Sequence, residues 1–194
     1  MPMSRRLWLR ITEQVLKRLG SLVGAKRMKI SHFSNHYQVR KLADADLEQV
    51  LALYQTNPLY FEYFPPLPSL ESLANDLVEC PPGKELPDKY FLGFWDKERL
   101  VAILDLIDGY PTAEIAYIGL FMVDSKLAGQ GLGSKVIAEL LSRLATHFKK
   151  VRLGYVESNP QSSHFWSKVG FCPTGEVKEL AGKTIVIAEH ALDE

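Results

Sequence analysis

The chain has 194 residues, of which 46% are hydrophobic and 24% are charged, and its 23 basic and 23 acidic side chains give a formal net charge of zero. This composition is typical of one globular domain and excludes a chain that is disordered throughout. No apolar run approaches the ~20 residues that cross a bilayer as a helix, so we expect no membrane-spanning segment. Two cysteines are too few for a disulfide-rich scaffold and lack the spacing of a zinc site. We therefore expect a reduced, cytoplasmic protein without a metal.

The charges are unevenly distributed along the chain. Residues 1–27 contain seven Lys or Arg against one Glu, a net charge of +6, which leaves 16 basic and 22 acidic side chains, or −6, for the remainder. Affinity for a phosphate backbone requires a basic surface. The acidic body therefore argues against a nucleic-acid partner.

The basic segment predicts an amphipathic helix over residues 5–23. Its apolar side chains recur at helical spacing, and Arg and Lys fill the opposite side. Such a helix is suited to weak contact with an anionic membrane surface. Two alternatives stay open: packing against the body of the protein, or an extension outside the native chain, since Met28 can begin a domain by itself. The sequence thus predicts an N-terminal extension over residues 1–27 and one domain over residues 28–194.

Beyond the extension, strands and helices alternate. Strands are predicted over residues 37–42, 90–95, 99–107, 115–123, 151–156, 171–177 and 184–188. Helices are predicted from Asp44 or Asp46 to the residue before Asn57, and over 69–79, 134–148 and 160–169. The aromatic and proline-rich segment 58–68 and the segment 124–133 are predicted to be loops. This order indicates a mixed α/β domain.

Three glycines, Gly129, Gly131 and Gly133, lie where a predicted strand gives way to a helix. Glycine permits a tight turn and leaves the amide N–H groups unobstructed, while a helix N-terminus attracts anions. The segment therefore predicts a diphosphate site, with a plain tight turn as the alternative. A P-loop is excluded because Ser134, not Lys, follows the last glycine, and the G-x-G-x-G spacing differs from the dinucleotide fingerprint.

Two motifs carry a resemblance to a known family. The run from Ala128 to Ser134, AGQGLGS, resembles the acetyl-CoA-binding motif Q/R-x-x-G-x-G/A of the GNAT superfamily of N-acetyltransferases. The run from Asn159 to Phe171, NPQSSHFWSKVGF, is similar to that family's next motif, in which an Asn opens a helix that ends in Gly-Phe. The resemblance covers residues 37–190. It implies an α/β fold with a mixed, mostly antiparallel central sheet, a splayed strand pair, and helices on both faces.

The resemblance also implies where acetyl-CoA binds as a co-substrate. In the family, the strand before the glycine loop is bulged and diverges from the next strand, so the pantetheine arm pairs with free main chain. Here these are the predicted strands 115–123 and 151–156. The residues implied to contact the cofactor are Phe121, Met122, Val123, Gly129, Gln130, Gly131, Leu132, Gly133, Ser134, Asn159 and Trp166.

Two positions depart from the family pattern. Ala128 stands where Gln or Arg is usual, which removes one side-chain contact but no main-chain donor. Trp166 stands where the family often has the tyrosine that protonates the departing thiolate. An indole N–H donates hydrogen bonds but does not release a proton at neutral pH. Water or another residue, such as Tyr155, must then supply that proton.

Glu114 and Tyr117, near the start of the strand 115–123, are the candidates for a general base. Because they are three residues apart, they point to opposite faces of a regular strand. Glu114 has the more suitable chemistry, whereas Tyr117 lies nearer the position that the family uses. A solvated carboxylate at a strand end is the alternative for Glu114, and His164 is a weaker candidate.

The aromatic segment 59–64, LYFEYF, borders the acceptor cleft in this fold. Its aromatic side chains are suited to an apolar pocket, and Glu62 to an amine; simple core packing is the alternative. The sequence therefore predicts direct transfer of an acetyl group from acetyl-CoA to a primary amine of a small molecule or peptide. A non-catalytic CoA-binding module and a membrane-surface protein are the alternatives, and a homodimer is compatible with these features.

Overall fold

One seven-stranded sheet organises residues 28–192, which the computed structural model describes. The predictions for residues 1–27, including the amphipathic helix and its membrane contact, lie outside this range. The strands are β1 (Gln38–Lys41), β2 (Lys89–Asp96), β3 (Arg99–Ile107), β4 (Ile115–Val123), β5 (Lys150–Val156), β6 (Cys172–Leu180) and β7 (Lys183–Ala191). Their spatial order is β1-β2-β3-β4-β5-β7-β6.

Five α-helices connect the strands in this part of the chain: α1 (Leu47–Gln55), α2 (Pro58–Tyr63), α3 (Leu70–Val78), α4 (Leu132–Leu144) and α5 (Pro160–Lys168). Short 3-10 helices occur at Ile30–His32, Asp44–Asp46, Leu86–Asp88 and Ser125–Leu127. Between residues 28 and 192, no helix is both long and apolar enough to cross a membrane.

The sheet is mixed and mostly antiparallel, as predicted. Only β4 and β5 run parallel, and α4 forms the crossover between them. Every other pair of neighbouring strands is antiparallel. The strands predicted over 90–95 and 99–107 are confirmed as β2 and β3, which form an antiparallel hairpin and pair along their whole length.

Helices cover both faces of the sheet, which confirms the predicted layers. On the α4–α5 face, the two helices share an apolar cluster with inward side chains of β2 to β5. The side chains that α4 buries there at helical spacing are Val136, Ile137, Leu140 and Leu144. On the opposite α1–α3 face, a second cluster contains Val50 of α1 and Leu73 of α3, both 0% exposed.

The start of α1 is held by a buried carboxylate. Asp46 accepts two hydrogen bonds of 2.7 Å from the guanidinium of Arg40 and one of 3.0 Å from the N–H of Ala43. The bonds from Arg40 are the main reason why the pKa of Asp46 is lowered. This bidentate pair joins β1 to the first turn that leads into α1.

Several predicted bounds differ from the structure. The prediction of a loop over 58–68 is wrong for its first half, which forms α2; Pro58 begins that helix because its fixed φ and missing N–H suit a first helical turn. Helix α4 begins at Leu132 rather than at residue 134, and ends at Leu144 rather than at 148. Strands β6 and β7 each end three residues later than predicted, at Leu180 and Ala191.

Candidate functional site

A gap opens between β4 and β5 at their carboxyl ends. The two strands pair only from Ile115 to Ile118 on β4 and from Lys150 to Leu153 on β5. Beyond this point β4 stays paired with β3, and β5 with β7, but the two strands no longer pair with each other. The main-chain groups along the gap are therefore available to an extended ligand.

A β-bulge in β4 accompanies the divergence. Asp105 of β3 pairs with Leu120 and Leu106 pairs with Ile118, so Gly119 is the extra residue. The bulge reverses the alternation of side chains along β4. As a result, Phe121 shares the α4–α5 face with Ile118 instead of pointing the other way.

The three residues predicted to line the cofactor on β4 differ in their surroundings. Phe121 and Val123 are partly buried against the α4–α5 face, and Met122 is 5% exposed within the α1–α3 cluster. Their side chains serve the core on both faces. What this stretch presents to the gap is its main chain.

The glycine loop follows β4 and leads into α4. Gly129 and Gly131 have φ values of 76° and 78°, which residues other than Gly rarely adopt. A Cβ added at either position would meet no atom within 4 Å. Gly133 serves a different purpose, since a Cβ there would lie 3.1 Å from Cε2 of Phe165 on α5. Two of the glycines shape an open turn, and the third lets α5 pack closely against α4.

The first turn of α4 points its amides toward this open turn. Gly131 is the N-cap, so Leu132, Gly133 and Ser134 are the first three helical residues. The N–H groups of a first helical turn have no partner within the helix and carry the positive end of its dipole. The arrangement has the geometry of an anion site.

A cleft of about 300 Å³ lies beside the loop and carries two cationic side chains, Arg99 and Lys135. Arg99 donates a 2.6 Å hydrogen bond to Asp124, the residue that follows β4. Burial opposes ionisation of Asp124, but the bonds from Arg99 and from the N–H of Lys126 outweigh it, so the pKa of Asp124 is lowered. The carboxylate stays ionised and Arg99 offsets its charge.

The two residues predicted on α5 lie at the same end of the gap. Asn159 follows β5, is 4% exposed, and caps α5 by accepting a 3.1 Å hydrogen bond from the N–H of Ser162. Trp166 is 8% exposed and packs among aromatic rings of β4 and α5 and of the chain after α5. The ring centroids nearest to it belong to Phe165, Phe171 and Phe121, at 5.0, 5.1 and 6.2 Å.

The two predicted base candidates are not brought together. Glu114 precedes β4 at the end remote from the gap; its side chain is 61% exposed and pairs with Nζ of Lys149 at 2.5 Å. Tyr117 lies within the paired part of β4, opposite Arg152, and burial is the main cause that raises its pKa. A Cβ added at Gly154, the first residue of β5 past the pairing, would lie 3.5 Å from the Tyr117 hydroxyl. Tyr117 therefore reaches the beginning of the gap, and Glu114 does not.

Helix α2 crosses the gap on the α1–α3 face. Tyr60 and Phe61 pack on the cluster that includes Leu120 of β4, whereas Tyr63 and Phe64 pack on Val156 and its neighbours. The aromatic segment thus bridges the two diverging strands. Burial raises the pKa of Tyr60 to about 12, so its hydroxyl remains protonated at neutral pH.

Sequence reasoning missed a buried ion pair on the same face. Nζ of Lys89, whose side chain is 4% exposed, lies 2.7 Å from Oδ2 of Asp105. Asp105 is the single charged residue of β3 after its first position, within the run LVAILDLI. A carboxylate in such an apolar strand was the available signal, since an unpaired charge is rarely buried.

The profile of the Acetyltransferase (GNAT) family matches residues 48–171. The chain belongs to the GNAT acetyltransferase family. The matched range includes the bulged strand, the glycine loop and α5. No curated protein sequence matches this GNAT chain significantly.

Solved structures share the fold of this GNAT protein at low sequence identity. An acetyltransferase from Thermus thermophilus has a TM-score of 0.66 and 22% identity, over 80% of this chain and 96% of that one. A spermidine N-acetyltransferase SpeG chimera from Vibrio cholerae and hSSAT gives 0.62 and 17%, over 81% and 96%. The ribosomal L7/L12 alpha-N-protein acetyltransferase RimL, in complex with coenzyme A, gives 0.60 and 14%, over 83% and 97%. At such identity these likenesses establish the fold alone.

Proposed function

We propose that the protein is an N-acetyltransferase that moves an acetyl group from acetyl-CoA directly to a primary amine. The observation that supports this most strongly is the open glycine turn at the first turn of α4, next to the gap between β4 and β5. A ligand with a diphosphate and an extended amide-containing arm matches both parts at once. The coenzyme A in one solved neighbour of the same fold agrees with this assignment.

In this proposal, the amides between Gly129 and Ser134 hold the diphosphate. The pantetheine arm pairs with the main chain of β4 from Phe121 to Val123, and Asn159 lies beside that arm. Trp166 supports the site by packing under Phe121 rather than by moving a proton. Binding of the diphosphate and of the pantetheine arm requires no side chain at Ala128, because the donors are main-chain groups.

The reaction has to overcome the protonation of the amine. A free alkylammonium of pKa ~10.4 is neutral at pH 7 only at a cost of about 4–5 kcal/mol. The neutral nitrogen attacks the thioester carbon, the C–N bond forms, and the C–S bond breaks. Before the attack a base takes one proton from the ammonium; after it, one of the two protons left on nitrogen passes to the thiolate, which departs as CoA–SH, and the amide keeps the last. Holding both substrates in one gap makes the attack effectively unimolecular.

Main-chain N–H groups of the bulged strand are suited to stabilise the oxygen of the tetrahedral intermediate. For the base, the two sequence candidates have unequal support. Tyr117 reaches the beginning of the gap, and Glu114 is engaged with Lys149 at the opposite end of β4. Tyr117, with its pKa raised by burial, suits hydrogen bonding to the acceptor better than proton removal.

A CoA-binding module without catalysis is the second candidate. It is favoured by the position of Glu114 away from the gap and by the packing of Trp166 in the aromatic cluster. One pair of measurements separates the two functions. Calorimetry reports CoA binding, and release of free thiol from acetyl-CoA reports transfer to an amine. We expect both; binding without thiol release on any amine would favour the module.

The amine panel follows from the fold and from the charge of the body. It contains spermidine, the acceptor in the name of one solved neighbour, and short peptides with free N-terminal Ala or Ser. It also contains aromatic amines, because the aromatic rings of α2 border the gap. Mass spectrometry of the acetylated product identifies the acceptor nitrogen. Absence of CoA binding would contradict both candidate functions.

A further inference from the structure

The Asp105 carboxylate lies against the bulge of the cofactor strand. A Cβ added at Gly119 would be 3.1 Å from Asp105 Oδ2, so only a glycine lets the carboxylate approach the main chain there. Gly119 is also the first residue of β4 past its pairing with β5. The carboxylate therefore lies where the gap begins, on the α1–α3 face that α2 crosses.

Only one of the two carboxylate oxygens is satisfied. Lys89 donates a 2.7 Å hydrogen bond to Oδ2, whereas Oδ1 is buried and has no hydrogen-bond partner between residues 28 and 192. A buried acceptor without a donor costs about 1–3 kcal/mol, so such groups in native proteins are usually associated with function. Oδ2, the oxygen beside Gly119, belongs to a side chain that is 21% exposed and can accept from a second donor in addition to Lys89.

The charges that act on Asp105 leave its surroundings negative. Lys89 lowers the pKa of Asp105, but burial raises it, as does the charge of Glu79, and the net effect is a raised pKa. Asp76 of α3, which accepts a 3.3 Å hydrogen bond from the hydroxyl of Tyr54, adds a further carboxylate whose pKa is raised by burial. The charge of Lys89 lowers the pKa of both Asp105 and Asp76, but in neither carboxyl group does it outweigh the effect of burial.

The remaining titratable neighbours are phenols. Tyr54 on α1 and Tyr60 on α2 both have pKa values raised by burial, so neither contributes a charge at neutral pH. The environment therefore favours an additional cation and disfavours an anion.

We propose that Asp105 is the catalytic residue that receives the acceptor amine: its carboxylate, through Oδ2 beside Gly119, accepts a hydrogen bond from the bound ammonium and then takes one of its protons. This inference rests on the proposed acetyl transfer. The N–H bond breaks, its electron pair stays on nitrogen, and Asp105 becomes a neutral carboxylic acid. The nitrogen then forms the C–N bond, the C–S bond breaks, and the second amine proton passes to the thiolate. Asp105 returns its proton to solvent after the product leaves.

In this mechanism Lys89 is a positioning residue. It donates a 2.7 Å hydrogen bond to Oδ2, which holds the carboxylate beside Gly119, and its positive charge favours the ionised form of Asp105. The acceptor class that fits is a primary alkylammonium, because such a group supplies both the positive charge and the N–H donors.

The test compares Asp105→Asn with the wild type and with Asp108→Asn. Asp108 follows β3, and burial raises its pKa as well, but its charged neighbours are Lys84, Asp88 and His147. With the amine of highest kcat/KM in the panel, we expect Asp105→Asn to lose about 100-fold or more in kcat/KM, the range of general-base catalysis. The Kd of acetyl-CoA should change less than threefold. Asp108→Asn should match the wild type in both.

The pH profile distinguishes catalysis from mere folding. In the wild type, the acid limb of kcat/KM belongs to ionisation of Asp105 and lies above the ordinary pKa of Asp. In Lys89→Met this limb should move to higher pH, because the carboxylate loses its counter-ion. In Asp105→Asn the carboxylate is absent, so the rate at acid pH should depend only on the fraction of the amine that is unprotonated. Thermal unfolding verifies that each variant is folded, and Lys89→Met carries the test if Asp105→Asn does not fold.

Two results would overturn the inference. One is an Asp105→Asn enzyme that keeps kcat/KM within threefold of the wild type; the other is an acid limb that stays in place in Lys89→Met. Both results can be obtained only if the wild type transfers acetyl groups measurably. If the proposed function is wrong, the wild type releases no thiol from acetyl-CoA, and this is seen before any variant is compared.

Discussion

Replacing Gly131 by Asp tests the anion site directly. Gly131 is the N-cap of α4, has a φ of 78°, and has space around an added Cβ. A Cβ at this position therefore meets no protein atom within 4 Å, and an Asp carboxylate there adds a negative charge to the turn that is proposed to hold the diphosphate. A unit charge placed about 5 Å from another contributes roughly 3 kcal/mol of repulsion at an effective dielectric of 20. This corresponds to about a 100-fold higher Kd for CoA.

Two controls separate charge from backbone strain. Gly131→Asn has nearly the same shape without the charge, and Asn tolerates the left-handed conformation better than most residues. Gly83→Asp introduces the same side chain at a second position with positive φ, 81°, and open surroundings, between α3 and β2. We expect stability losses of about 1–2 kcal/mol in all three variants from the positive φ alone.

Isothermal titration of CoA is the assay, with circular dichroism as the measure of folding. Affinity should fall strongly in Gly131→Asp, less in Gly131→Asn, and not at all in Gly83→Asp. A folded Gly131→Asp protein with wild-type affinity would refute the reasoning, because it would mean that the diphosphate binds elsewhere. A salt titration adds a check, since the charge effect should shrink as the ionic strength rises.

Three further predictions concern packing and pH. Gly133→Ala should lower the thermal midpoint, because its Cβ would lie 3.1 Å from Phe165, and Phe165→Leu should restore part of the loss in the double variant. Leu73→Ala, at a fully buried position of α3, should reduce the free energy of unfolding in urea by about 2–5 kcal/mol. Because Arg40 lowers the pKa of Asp46, their pair stabilises the fold above the unfolded pKa of Asp, ~3.9, and this contribution is lost as the pH falls through the lower folded value. Asp46→Asn should therefore be less stable than the wild type at pH 7, and the difference should shrink as the pH falls below the unfolded pKa of ~3.9; a difference that does not change with pH would contradict the assignment.

The charge at the acceptor side has a consequence for substrate choice. Between residues 28 and 192, one buried ammonium, that of Lys89, acts on the two partly buried carboxyl groups of Asp105 and Asp76. An amine that carries a carboxylate next to its nitrogen, such as a free amino acid, would bring a negative charge into this region. Polyamines and N-terminal peptides lack that charge, so they should be the better acceptors.

Local sequence determined the order of the elements and the glycine loop. The helix start at Ser69 and the neighbouring strands β2 and β3 depend on residues that are close in the chain, and these predictions are confirmed. The turn at Gly129 and Gly131 is equally local, because positive φ is a property of single residues. The helix at Pro58 was predicted as a loop, because helix propensity is ambiguous within an aromatic, proline-rich segment. The predicted bounds of α4 differ from the observed ones at both ends.

Only the tertiary structure decided which side chains share the gap. Pairing of β3 with β4 creates the bulge at Gly119, and that bulge gives Asp105 its place beside the main chain. Lys89 lies 16 positions before Asp105, and strand register brings the two together. The same register leaves Glu114 at the opposite end of β4. Chemistry in this protein depends on contacts between distant strands, and such contacts are set by the packing of the whole sheet rather than by any short stretch of residues.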